Sequence, residues 1–337
     1  MILILFLAAA AAAAGPAPSA IKTFQDWTVG CDNGSACHAV ALVPEHWPED
    51  ALTMSVRRGP AATDPAVLAF AIGADSNATA LSADGRRLKV RLVGAEGETR
   101  VAAADTSAAV AALRTASRFE LAGADGKPLG TVSLKGASAA LLYMDEKQGR
   151  TGTATALVRP GSRPWAAAPR PLPVVTARPV SKGRPLALST SAVAALRSRH
   201  GCAIGEVGGP DEAESHALGP SESLLLLACG SGAYNVSYVP FVLRRGPRGI
   251  EARLAAFDVR PGWWAEEGKP VLINAAWDRE RGLLASYSKG RGLGDCGTTS
   301  AYAWDGRSFR LVEQAEMEEC RGSTDYITTW RARVVRK

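Results

Sequence analysis

What this 337-residue chain lacks narrows its chemistry first. Its four histidines, His38, His46, His200 and His216, form no HExxH or other paired-ligand spacing, so a helix-borne metal site has no basis in the sequence. Cys-x-x-Cys is absent, and with it the thioredoxin-type redox motif and the tight knuckles of structural zinc sites. Cys31-x5-Cys37-His38 imitates a ligand set only superficially. There is no G-x-S-x-G elbow for an activated serine. Basic residues are scattered, and a formal net charge of +6 suits solubility and weak attraction to anionic surfaces, not a nucleic-acid specialist. No metal, no cofactor and no nucleic-acid partner is therefore expected, and no catalytic residue is assigned.

One long apolar run is present, Met1–Ala14, and none follows it. It falls short of the roughly 20 residues that span a bilayer. Ala12-Ala13-Ala14 before Gly15 fits the small-x-small rule of signal peptidase, although a basic n-region is missing. Residues 1–20 are read as a signal peptide and short leader, which places the rest of the chain in the periplasm or outside the cell, without a transmembrane segment. An even number of cysteines behind such a leader reads as a disulfide framework. Proximity pairs the six as Cys31 with Cys37, Cys202 with Cys229, and Cys296 with Cys320, one of many connectivities that six allow.

The clearest boundary is Arg159–Pro185, a basic stretch holding seven prolines. Proline fixes φ and removes a donor, so this segment is neither helix nor central strand and should run extended as a linker. It divides the chain into an N-terminal β-rich domain, 21–158, and a C-terminal one, 186–337. In the first, Trp27, Val29 and Cys31 share one strand face, Asp32-Asn33-Gly34-Ser35 supplies turn chemistry, and Cys37, Ala39, Ala41 and Val43 line the returning strand. Further strands are expected at Leu52–Arg57, Ala66–Ile72, Leu88–Val93, Arg118–Leu121 and Gly130–Leu134, with helices from Asp105 to about Ala116 and from Ala137 to about Lys147. The second half should open with a helix, Thr190–His200, capped by Ser189 or Thr190. Strands then follow, among them Ser223–Cys229, Pro270–Ala275, Leu283–Ser288 and Tyr326–Val335. Five of the eight tryptophans, at 263, 264, 277, 304 and 330, lie here and are expected to fill core. The fold class is α+β, predominantly antiparallel β, with a few short helices. The echo between TSAAVAALR (106–114) and TSAVAALR (190–197) is compositional.

Two segments nominate binding residues. MDEKQGRTG (144–152) offers Asp145, Glu146, Gln148 and Arg150 as a ligand-contact cluster, against the plainer reading of a salt-linked helix end with a Gly149 cap. Adjacent carboxylates on a helix point about 100° apart, so Asp145 and Glu146 do not form an acid–base pair by spacing. SYSKGRGLGDCGTT (286–299) carries four glycines with Lys289, Arg291 and Asp295, and lacks the GK[ST] and following helix of a nucleotide loop. Two readings remain: a disulfide-anchored loop that offers N–H groups and cations to an anion, or glycines that serve turns between twisted strands. Two sequons, at Asn77 and Asn235, matter only in a glycosylating host.

FQDWTVGCD (24–32) with Cys37, MDEKQGR (144–150), NAAWD (274–278), KGRGLGDCG (289–297), WDGRSF (304–309) and CRG (320–322) resemble the DUF1176 family. The resemblance implies a bacterial exported protein with a six-cysteine signature and no assigned activity. The first half, through FxDWxVxC and VSLKG (132–136), also resembles the invasion-associated locus B proteins, periplasmic or secreted proteins linked to host-cell invasion. The expectation is a non-catalytic periplasmic binding or envelope-interaction protein, its partner an envelope or host protein or an anionic ligand. The alternatives are a periplasmic enzyme acting on a glycan or peptide through Asp145/Glu146 or Asp295, and an inhibitor of a host hydrolase such as lysozyme.

Overall fold

The run Leu224–Leu227 is apolar at four successive positions, which a strand tolerates only when both its faces are covered. Leu224 and Leu226 face one cluster with Val242, Leu284, Tyr302, Trp304, Phe309 and Leu311. Leu225 and Leu227 face another with Leu186, Leu196, Phe241 and Leu243. In the computed structural model, which describes residues 15–46, 48–73, 76–95, 97–202, 213–247, 249–259, 261 and 268–337, this strand, Glu222–Ser231, is central to its sheet. The apolar leader 1–14 and the tryptophans at 263 and 264 lie outside the described residues.

The N-terminal half builds a seven-stranded antiparallel sheet in the order Lys22–Phe24, Trp27–Cys31, Cys37–Ala41, Met54–Arg58, Ala66–Ala71, Glu98–Val101, Leu92–Ala95. A four-stranded antiparallel sheet, Pro128–Ser133, Arg118–Gly123, Ala78–Ala83, Arg86–Arg87, completes it. Helix Ala137–Lys147 turns Ala140, Leu141 and Met144 onto Trp27, Val29 and Phe70. Of the expected strand Leu88–Val93 only 92 and 93 lie in a strand, Leu92–Ala95 of the seven-stranded sheet; 88–91 follow the short strand Arg86–Arg87 of the four-stranded one and belong to neither ladder. Leu88 and Val90 pack on the core where the chain crosses between sheets, so their alternation marks a crossing, not a ladder.

The C-terminal half holds the sheet Ala213–Ala217, Glu222–Ser231, Val236–Gly246, Gly249–Leu254, to which Leu272–Ile273 adds. A second sheet runs Ala276–Asp278, Leu283–Lys289, Gly297–Trp304, Phe309–Met317, Ile327–Arg331. Helix Thr190–Arg199 is capped by Ser189, whose hydroxyl accepts from the Ala192 amide. The stretch expected as one strand, 326–335, breaks at Ala332, whose amide turns to Val312 O. Beyond it Arg333–Arg336 pairs in parallel with Val174–Ala177 of the proline-rich segment. That pairing suits an edge position, since prolines flank it and none falls within it.

All three disulfides join the proximity pairs, 31–37, 202–229 and 296–320. Cys31 and Cys37 stand opposite each other across a hairpin. Its turn is held by Asp32 Oδ1, which accepts from the amides of Gly34 (2.8 Å) and Ala36 (2.9 Å).

That hairpin is buried on both faces. One face joins Trp27 in the N-terminal core, and the other meets the end of the chain. Ile21, Val40 and Leu42 pack with Met317, Ile327 and the Cys296–Cys320 bridge. Gly30 permits the approach: a Cβ there would lie 2.8 Å from methyls of both Ile21 and Ile327. Around this apolar patch run the ion pairs Asp26–Arg321, Asp32–Arg331 and Arg57–Asp325, and Asn33 exchanges two hydrogen bonds with the Arg331 backbone.

The seam carries a pH dependence of definite sign. Burial opposes ionisation of Asp325, but His38, 3.3 Å away, and Arg57 outweigh it and hold the carboxyl at about 2. Burial lowers His38. Both groups thus take up protons more readily in the unfolded chain, so their contribution is complete above about pH 6.5 and fades as pH falls. His38 is lost first, then Asp325 between about pH 4 and 2. With its side chain 35% exposed, screening leaves Asp325 worth on the order of 1 kcal/mol. Thermal melts should show stability falling on acidification, with a shallower slope below pH 4 for Asp325→Asn; identical slopes would contradict this assignment.

Candidate functional site

Helix Ala137–Lys147 closes with Gln148 and with Gly149 at φ 66°. The turn sends Asp145 inward and leaves Glu146 exposed. Asp145, fully buried, accepts from the Arg58 guanidinium at 2.7 Å and from the amides of Leu157 and Val158 at 2.8 and 3.0 Å. Arg58 also donates to Gln148 Oε1 (2.6 Å) and to Thr155 O (3.1 Å). Gln148 Nε2 donates to the carbonyls of Ser35, Arg58 and Gly59. Arg150, equally buried, donates to the Thr155 hydroxyl and to Ala61 O. Its guanidinium carbon lies 4.8 Å from the ring centroid of Trp165, whose indole donates to Gln148 O. Burial lowers the pKa of both arginines; Asp145 opposes this at each, and at Arg150 the Arg58 charge adds to it. Two guanidinium groups and one carboxylate thus occupy an interior whose polar atoms are nearly all engaged, Arg150 Nε being the exception. Arg58 escapes sequence reading because nothing local distinguishes it from its neighbour Arg57, whose side chain is 41% exposed.

The second nominated segment begins where strand Leu283–Lys289 runs past its edge partner, Ala276–Asp278. Asparagine side chains take over that edge. Asn235 donates to Lys289 O (2.9 Å) and accepts from Lys289 N (3.2 Å), as a neighbouring strand would. Asn274, at φ 45°, donates to Asn235 Oδ1 (2.8 Å) and Tyr287 O (2.9 Å) and accepts from Val236 N (2.9 Å). The sequon asparagine is therefore a clasp between two sheets. Asn274 stands at the head of the NAAWD motif, which was a signal, but its amide chemistry was not legible from spacing.

Beside this clasp lies a groove of about 590 Å³, walled by Ser231, Ser237, Ser288, Asn235 and Lys289 and floored by glycines. Lys289 is its one charged lining residue, and no carboxylate or histidine lines it among the described residues. Arg291 and Asp295 serve the loop that bounds it. Arg291 Nε donates to Asp295 Oδ1 at 2.7 Å, and Oδ2 takes the Gly322 amide at 2.7 Å. The Arg291 hydrogen bond, opposed by burial, keeps the Asp295 carboxyl below its usual range. Tyr287 and Tyr326 donate to Gly294 O at 2.8 and 3.1 Å. Gly297 lies at φ 136°, where a Cβ would come within 2.0 Å of Ser288 O, so this glycine answers a packing need. Of the nominated residues, Lys289 lines a cleft, Arg291 and Asp295 brace it, Glu146 is exposed elsewhere, and Asp145, Gln148 and Arg150 are interior to the N-terminal half.

A family model described as "Protein of unknown function (DUF1176)" matches residues 21–333. The chain is similar to the uncharacterized protein YpfG of Escherichia coli strain K12, with 27% identity over 345 aligned positions covering 94% of each chain. Among solved structures, that of invasion associated protein b from Bartonella henselae is matched at a TM-score of 0.29 and 23% identity. The match covers 39% of this chain and 99% of that one. At that score it carries no argument about this chain.

Proposed function

The chain belongs to the DUF1176 family of proteins of unknown function, and from that premise we propose an exported, non-catalytic binding protein whose ligand site is the Lys289 groove. Export rests on the apolar run 1–14 with its small-residue border and on three disulfides, which persist in oxidising compartments. In this reading two β-rich domains, 21–158 and 186–337, flank the linker 159–185. They act on an envelope or host partner without transferring groups or protons.

The observation that carries the reading is the composition of the groove: one cation, three hydroxyls and an amide, with no acid–base pair. Asp295, the nearest nominated carboxylate, is 2% exposed and committed to Arg291 and Gly322. Such a lining favours an anionic or strongly polar ligand group held by Lys289.

Titration with inorganic phosphate and with acetate, followed by amide NMR shifts, tests it. Shifts should centre on 288–297, and Lys289→Glu should weaken them at least ~10-fold, since about 1.4 kcal/mol of charge interaction is removed. Shifts spread evenly over the surface, or indifferent to Lys289→Glu, would sink the proposal.

A further inference from the structure

On leaving the N-terminal half, the proline-rich segment passes residues 180–185 over the gap between two edge strands, Ala213–Ala217 of one C-terminal sheet and Ala276–Asp278 of the other. The gap is a cleft of about 500 Å³. Its chemistry differs from that of the Lys289 groove. Trp277 forms an aromatic wall, stacked on His216 with centroids 6.2 Å apart and planes 22° from parallel. His216 is 8% exposed; Nε2 lies 3.3 Å from Glu214 Oε2, while Nδ1 has no hydrogen-bond partner. Burial lowers its pKa, so the imidazole is neutral at pH 7 and the positive charge comes from elsewhere. It comes from Lys182, on the crossing segment, and Arg279, just beyond the edge strand, both exposed at the cleft. Ser215 contributes a hydroxyl and Glu280 a carboxylate.

We propose that this cleft binds an acidic saccharide unit, a sugar ring bearing a carboxylate or a phosphate. The indole suits the C–H face of a ring, since an aromatic body takes apolar area while its edge stays polar. Lys182 and Arg279 supply two charges for one anionic substituent, Arg279 as a planar fork matched to carboxylate and phosphate. Glu280 and Ser215 accept from ring hydroxyls. A bare anion would leave the indole and Glu280 unused, and a neutral sugar would leave the two cations unanswered. The sugar reading uses the whole lining. It rests on residues separate from Lys289, so the two sites stand or fall independently.

The test titrates the full chain with glucuronate, glucose 6-phosphate, glucose and inorganic phosphate, following the Trp277 indole N–H by NMR. At least one acidic sugar should shift this resonance saturably, and glucose should bind at least ~10-fold more weakly. Which acidic sugar binds more tightly separates the carboxylate from the phosphate source. Arg279→Glu, at an exposed position that leaves the core intact, should weaken binding at least ~10-fold, while Lys289→Glu should not change it. The proposal is overturned if neither acidic sugar shifts Trp277, if glucose or inorganic phosphate binds as tightly as the acidic sugars, or if Arg279→Glu has no effect.

Discussion

Asp145→Asn is expected to destabilise the folded chain by about 3–5 kcal/mol, the cost of breaking a buried ion pair from one side. Among the described residues the carboxylate is the one negative group in direct contact with the Arg58 guanidinium, and it also satisfies the amides of Leu157 and Val158. An asparagine is nearly isosteric. Its oxygen can keep some of these bonds, but its NH2 must face a guanidinium or an amide donor, and Arg58 and Arg150 then share an interior without a contacting counter-charge. Chemical denaturation with intact disulfides measures the effect, and a loss below about 1 kcal/mol would mean the cluster is wetter than its burial implies. Arg58→Met combined with Asp145→Leu should cost less than the two single changes summed, because each single change strands the other's charge.

Removing the bridge between Cys296 and Cys320 through the double replacement Cys296→Ser with Cys320→Ser ranks second. With the two cysteines 24 positions apart, loop closure alone predicts a loss of about 3.5 kcal/mol. The location adds to this. Cys296 is 2% exposed within the seam cluster of Ile21, Val40, Leu42, Met317 and Ile327, so two hydroxyls would be placed beside apolar side chains. Cys31 and Cys37 are buried in an apolar core as well, so it is the loop term that makes this loss larger than that for Cys31→Ser with Cys37→Ser, whose short hairpin loop gives roughly 2.4 kcal/mol. Urea midpoints of both double variants decide the comparison, and equal midpoints would contradict the loop-length ordering.

The strands around Trp27, the capped helix after Ser189 and the cysteine pairs were legible because each depends on near neighbours: period-two alternation, a hydroxyl at a helix start, cysteines few residues apart. Leu88–Val93 and 326–335 misled because a chain switching between sheets keeps its alternation while it changes partners. The site was half legible. Lys289 and the glycines stood out by composition, but Asn235 and Asn274 act through hydrogen bonds spanning 39 and 54 positions, which no local pattern encodes. Asp145 and Arg150 drew notice as charges and turned out to be interior, since the partner that draws Asp145 inward, Arg58, lies 87 residues away.

The seam joins residues 298 and 299 positions apart, Asn33 and Asp32 with Arg331. A chain is made and emerges N-terminus first, so the hairpin at 27–41 is among the first elements present, and the strand that covers its second face is among the last. Until residues 317–331 arrive, Val40 and Leu42 lack Met317 and Ile327, and Asp26, Asp32 and Arg57 lack their partners Arg321, Arg331 and Asp325. Closing so long a loop is slow. The early hairpin is therefore an open surface for the whole of synthesis, and a chain truncated after Met317 would keep that surface permanently, with Cys296 left unpaired. The hairpin at 27–41 is thus finished only when Ile327–Arg331, whose last residue lies 298 positions beyond Asn33, has been delivered.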